Sequence, residues 1–160
     1  MAGRGRAPMD QRRFTAYCGL YCRDCIPGNG DLFRAARELT RLLNEVGFDE
    51  YASRKAEKVG PLRDYAAFAG VLDAITQLEC PAPCREGGGN PDCAVRACAI
   101  EKHYVGCWEC EDFRGCSLLD SLRRFHGENI DHNLEMIRQH GPDNWAEHRA
   151  KHYPWSNTHN

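Results

Sequence analysis

The chain has 160 residues, a formal net charge of −2, 42% hydrophobic residues and ten cysteines. That length suits one domain able to bury about 70% of its unfolded surface, so staples are not needed merely to fold it. The near-neutral charge excludes a global pull toward nucleic acid or anionic membrane, and no run approaches the roughly 18 apolar residues of a membrane span.

The first residues are locally basic, with Arg4, Arg6, Arg12 and Arg13 against Asp10. No apolar stretch follows them, so they do not form a secretory signal. We expect a flexible basic N-terminus over 1–13, a single cysteine-rich helical domain over 14–155 and a polar tail over 156–160. With no export signal, the expected compartment is the reducing cytoplasm, where clustered thiols hold metal rather than form disulfides.

In residues 14–30, FTAYCGLYCRDCIPGNG, the turn-formers Gly19, Pro27, Gly28 and Gly30 place Cys18, Cys22 and Cys25 on a tight knuckle. A helix is predicted from Asp31 to Val46, burying a stripe of Leu32, Ala35, Ala36, Leu39, Leu42, Leu43 and Val46. Asn29 or Asp31 can cap its start, and Gly47 suits its end. A second helix is predicted from Asp49 to Val59, stopped by Gly60-Pro61. A third, Arg63 to Leu78, carries Tyr65, Phe68, Ala69, Leu72, Ile75 and Leu78 on one face and delivers the chain into Cys80.

Cys80 to Cys116 is the densest stretch, with Cys80, Cys84, Cys93, Cys98, Cys107, Cys110 and Cys116 spaced C-x3-C-x8-C-x4-C-x8-C-x2-C-x5-C. Pro81 to Pro91 reads as loop. A short helix from Asp92 to Lys102 would turn Cys93 and Cys98 to different sides, serving different sites or leaving one as a cap. After Cys116, Ser117 with Asp120 resembles a capping box for a helix carrying Leu118, Leu119, Leu122 and Phe125 and stopped by Gly127. Further helices are predicted from Asn129 to His140, burying Ile130, Leu134 and Ile137, and from Asp143 to His152. No alternating strand pattern stands out. The fold expected is mostly α, a small helical domain around an irregular cysteine-rich metal-binding lobe.

The chemistry follows from the thiolates. Zinc takes four tetrahedral ligands, and short C-x2-C or C-x3-C loops supply them in pairs. All ten cysteines (Cys18, Cys22, Cys25, Cys80, Cys84, Cys93, Cys98, Cys107, Cys110 and Cys116) are candidate metal ligands. They could fill two four-thiolate sites with two left over, or one site could use three thiolates and a histidine. The alternative cofactor is a [4Fe–4S] cluster on the C-x3-C-x2-C group, with a redox or radical role. The barrel that radical enzymes of that spacing use has no counterpart in this helical pattern.

Cys107, Cys110, His126 and His132 nominally match a two-cysteine, two-histidine finger, but Gly127 breaks the helix between the histidines. His103 is the best-placed histidine ligand. His148 and His152, four apart on the last predicted helix, read as a solvated face. Tyr17, Tyr21, Tyr104, Trp108 and Phe113 read as shielding for the cysteines rather than a base-stacking surface. Arg85, Arg96, Lys102 and Arg114 are outnumbered by neighbouring carboxylates, which argues against nucleic acid as a partner.

With YCGLYCRDC from Tyr17 to Cys25 and CAIEKHYVGCWECEDF from Cys98 to Phe113, the chain resembles the cysteine-rich family known as domain of unknown function 3795. The resemblance covers Tyr17 to Leu119 and implies a small soluble metal-binding protein, with zinc the implied metal and no implied reaction. Closed four-thiolate sites leave no open coordination position, which argues against catalysis. The reading reached from sequence is a zinc–thiolate protein whose metal supports an interaction surface for a protein partner.

Overall fold

The computed structural model describes residues 11–149. The expected polar tail lies outside the described residues, as does most of the expected N-terminal arm. Seven α-helices and several 3-10 turns make up the regular structure among the described residues. There is no strand among them, only an isolated bridge between Thr15 and Tyr21. The mostly α class expected from the helical periodicities is therefore what the chain adopts. The chain divides into two compact units. One combines the chain up to Cys25 with the chain from Pro81 onward, and the other is Ile26–Cys80.

In the Ile26–Cys80 unit, α2 (Gly30–Glu45) starts as its sequence dictates, with the Asn29 side chain accepting the Leu32 N–H. Gly47, at φ +60°, turns the chain into α3 (Phe48–Lys55) in the left-handed conformation that favours glycine. A 3-10 turn, Gly60–Asp64, carries Pro61 in its first positions and leads into α4 (Tyr65–Gln77). α2 packs against α4. The Cys80 N–H donates to the Pro27 carbonyl at 2.8 Å, closing the unit.

The buried face of α2 differs from the expected stripe. Phe33 and Ala36 are buried, whereas Leu39 is 42% exposed and Val46 70%. The inward line runs Phe33, Ala36, Thr40, Leu43, spacings of three and four residues. It is turned by about one residue, roughly 100°, from the line through Leu32 and Leu39. The helix carries more apolar residues than one face can hold, so periodicity alone left its rotation ambiguous. On α4, Leu72 is buried, while Phe68 and Leu78 of the expected face are exposed.

The other unit begins with α1 (Gln11–Phe14), a single turn. It runs into the N-terminal knuckle, where Ala16 N–H donates to Leu20 O and Cys22 N–H to Phe14 O, both at 2.8 Å. α5 (Ala94–Glu101), α6 (Asp120–His126) and α7 (Asn129–His140) follow Pro81. α7 supplies the centre of the core: Ile130, Leu134 and Ile137 are buried as their spacing predicts, with Trp108, Phe113 and Trp145 around them. The amide of buried Asn133 donates to Gly19 O at 3.0 Å, and Trp145 Nε1–H donates to Thr15 Oγ1 at 2.8 Å. Both polar groups are thereby satisfied inside the core.

Three expectations fail here for local reasons. The capping box does not form: residues Ser117–Leu119 are a 3-10 turn, α6 begins only at Asp120 without a side-chain cap, and the Asp120 carboxylate is taken by Arg123 at 3.0 Å. Phe125 is 65% exposed, because the inward line of α6 is Leu119, Leu122, His126. The last helix is reduced, over its described part, to the 3-10 turn Trp145–Glu147. There the Ala146 N–H donates to Gln11 Oε1 and the Ala146 carbonyl accepts from Arg149, so side chains occupy the backbone groups an α-helix would use. His152 lies outside the described residues. His148 stacks on His140 with ring centroids 3.7 Å apart.

Candidate metal centre

α5 is positioned by its buried Val95 and Ala99, which leaves Cys98 on the adjacent side. Cys93 caps the same helix, its Sγ accepting the Arg96 N–H at 3.5 Å. The two cysteines thus take the different roles that their spacing suggested. The helix ends in a Schellman closure, with Tyr104 N–H on Ala99 O at 2.8 Å and His103 N–H on Ile100 O at 3.0 Å. His103 holds the left-handed position at φ +57° and is exposed.

Three successive tight turns follow. Cys107 and Cys110 bracket the first, with Cys110 N–H donating to Cys107 O at 3.1 Å. Cys116 closes the second, its N–H donating to Phe113 O at 3.2 Å. The outcome is that Cys98, Cys107, Cys110 and Cys116 line one cavity of about 40 Å³, floored by Phe113 and Leu119. One water-sized sphere needs at least about 10–15 Å³, so the space is of the order of an ion or a few waters. Lys102 and Tyr104 line it, while His103, His126 and His132 do not.

The N-terminal knuckle is bonded to the same turns. Cys107 N–H donates to Tyr17 O at 2.8 Å, and Arg85 spans Thr15 O at 2.7 Å and Val105 O at 2.8 Å. Cys18 is buried within electrostatic reach of Cys84, Cys107 and Cys93. Burial, first, pushes its thiol up to about 12, with the Leu20 backbone N–H opposing and the neighbouring thiols adding. Cys107 is likewise pushed up to about 12 by burial, reinforced by Cys116, Cys98 and Cys110. A buried thiol of this kind holds its proton at neutral pH unless a cation takes the proton's place.

The turns are also held by a set of arginines, of which local sequence pattern did not single out Arg123 and Arg138. Arg138 donates to Trp108 O at 3.0 Å and Cys110 O at 2.9 Å, with its guanidinium 4.9 Å from the Phe113 ring. Arg123 donates to Phe113 O at 2.7 Å and Cys116 O at 2.9 Å while pairing with Asp131. Arg96 reaches the carbonyls of Cys84, Gly88, Asn90 and Pro91. Arg85 and Arg96 therefore spend their donors on backbone. Gly88 is buried, and a Cβ there would stand 1.6 Å from the Ala82 carbonyl oxygen, so only glycine fits that turn.

No disulfide joins Cys18, Cys84, Cys93, Cys98, Cys107, Cys110 or Cys116. The cavity gathers four thiols without arranging them as a ligand set: among the described residues, no group of three or more His, Cys, Asp or Glu side chains could hold a metal ion. Cys22 and Cys25 lie on the N-terminal knuckle, whereas Cys80 ends the other unit. The residues present fit zinc by donor chemistry, sulfur in number and kind, though not by spacing. No helix among the described residues is long and apolar enough to cross a membrane.

A comparison with protein families matches residues 14–121 to the one described as "Protein of unknown function (DUF3795)". The chain belongs to this family. No curated protein and no solved structure matches it.

Proposed function

We propose that this protein binds zinc through cysteine thiolates and that the metal is structural, bracing the turns between α5 and α6 as a surface for a protein partner. The observation that carries the reading is the convergence of Cys98, Cys107, Cys110 and Cys116, from one helix and its following turns, on a single small cavity. Four thiolates are a complete tetrahedral zinc shell, with no position left for substrate. Zinc would supply positive charge in place of the thiol protons. It would have to draw these sulfurs inward, so the decisive test is stoichiometry.

The arginines on the carbonyls of Trp108, Cys110, Phe113 and Cys116 support the reading, because they fix the backbone that carries three of the four sulfurs. Cys18, buried within electrostatic reach of Cys84, Cys107 and Cys93, adds further sulfur to the same unit.

Protein purified without oxygen is expected to be colourless and to carry one or two zinc ions per chain by elemental analysis. Cys107→Ser and Cys22→Ser are each expected to lower that stoichiometry. Iron and sulfide in a brown protein would overturn zinc in favour of a cluster. Wild-type zinc content in both variants would remove those two ligand assignments.

A further inference from the structure

Positive charge is unevenly answered around the N-terminal knuckle. α1 packs against the 3-10 turn Cys84–Glu86 of the same unit. Arg12, Arg13, Arg23, Arg85 and Arg149 stand on or against these segments, and the carboxylates paired with them among the described residues are Asp24 and Glu86. Arg149 holds Asp24 through Nε at 2.8 Å and Nη2 at 3.1 Å. Arg13 holds Glu86 in the same way, its Nε on Oε1 and its Nη2 2.9 Å from Oε2. Each is a two-point clamp of a planar guanidinium on a carboxylate. Arg85 spends its donors on the carbonyls of Thr15 and Val105.

Arg12 and Arg23 are left over. Both are exposed, and among the described residues no carboxylate pairs with either. Arg23 is nonetheless held in place. Its guanidinium carbon lies 4.2 Å from the centroid of the Phe14 ring, and that of Arg13 lies 5.4 Å from the same centroid. Stacking on a ring fixes the plane of a guanidinium and leaves the N–H groups on its edge able to donate. Arg12, beside Arg13 in α1, is within electrostatic reach of Arg85. Like charges held this close repel one another, and an incoming anion relieves the repulsion.

We propose that the knuckle is a docking site for an acidic segment of a partner protein, with Arg12 and Arg23 taking carboxylates of that segment as Arg13 and Arg149 take Glu86 and Asp24. Two observations favour carboxylates over a phosphate backbone. The rings of Phe14 and Tyr17 carry guanidiniums, Arg23 on the first and Arg85 at 4.6 Å on the second, so they are not bare platforms for stacking bases. A surplus of two guanidiniums also falls well short of the roughly 6–10 phosphate contacts of salt-driven nucleic-acid binding. The inference uses no sulfur, so it stands apart from the zinc reading.

The test uses the full chain. End-capped hexaglutamate is titrated by fluorescence anisotropy or calorimetry against a thymidine heptamer, which carries the same number of negative charges. Hexaglutamate is expected to bind the more tightly and to weaken about fivefold as salt rises from about 50 to about 200 mM, as exposed ion pairs do. Arg12→Gln and Arg23→Gln, both at exposed positions, should keep the wild-type circular dichroism and melting temperature, and each should weaken hexaglutamate about threefold. Arg54→Gln removes the same charge from the other unit and should leave binding unchanged. A heptamer that binds as tightly as hexaglutamate would make this a nucleic-acid surface and overturn the proposal. No binding of hexaglutamate, an unchanged Arg12→Gln or Arg23→Gln variant, or an equal loss in Arg54→Gln overturns it as well.

Discussion

Arg138 shows what single side chains do in this protein. It sits on α7, far in sequence from the turn it holds, and its two donors end on the carbonyls of Trp108 and Cys110. Carbonyls in a tight turn have no ladder partner, and a charged donor satisfies them with bonds stronger than neutral ones. His126 illustrates the opposite electrostatic case. It is a buried histidine at the end of α6, and burial holds its imidazole below the ordinary value of 6.5. The unfolded chain therefore takes up this proton more readily than the folded one. The associated stability is fully present above pH 6.5 and is lost as pH falls through the lower folded value. Urea denaturation between pH 7.5 and 5 should show declining stability in the wild type and a flatter profile in His126→Gln. Parallel profiles would assign the acid sensitivity elsewhere.

Among the elements, α2 gives the sharpest test. Two candidate faces are written into its sequence, and only the line through Phe33 and Ala36 is buried, with Leu42 left 45% exposed. Phe33→Ala is expected to cost about 3–5 kcal/mol, the range for removing a buried aromatic. Leu42→Ala should cost no more than about 0.5 kcal/mol, as surface substitutions do. Chemical denaturation of both variants decides it, and the reverse order would restore the stripe read from periodicity. The contrast with α7 has a plain cause. α7 has apolar residues only where the core needs them, at Ile130, Leu134 and Ile137 with Met136 beside them, so its rotation follows from sequence. α2 has leucines on two sides, and its neighbours had to choose.

For the molecule as a whole, the question is what zinc would contribute to a chain already long enough to fold. The first unit buries an apolar core that includes Trp108, Leu134 and Trp145, and its turns are tied by arginine to backbone. Metal is thus expected to add to stability rather than create the fold. Chelation of the zinc-loaded protein should lower the melting temperature by about 10 °C, a few kcal/mol at roughly 2–4 °C per kcal/mol. The helical signal in far-ultraviolet circular dichroism should largely persist below that transition. An unchanged melting temperature after complete metal loss would rule out the structural role.

The sequence by itself determined the helical class, the positions of α2, α4 and α7 to within a residue or two, and the stops of α2 at Gly47 and of α6 at Gly127. These depend on spacing, capping and backbone freedom, which act over a few neighbouring residues. It also supplied the inventory of sulfur and the family, because both are written in residue identity. Tertiary structure alone decided which four cysteines share a cavity, which side of α2 turns inward, and why the chain after Trp145 does not continue as an α-helix over its described residues. It also decided that Arg85, Arg96, Arg123 and Arg138 serve the backbone of distant turns. Each of those outcomes depends on a partner remote in the chain, Gln11 for Ala146 or Trp108 for Arg138. No local pattern encodes a contact whose two halves meet only after the core has closed.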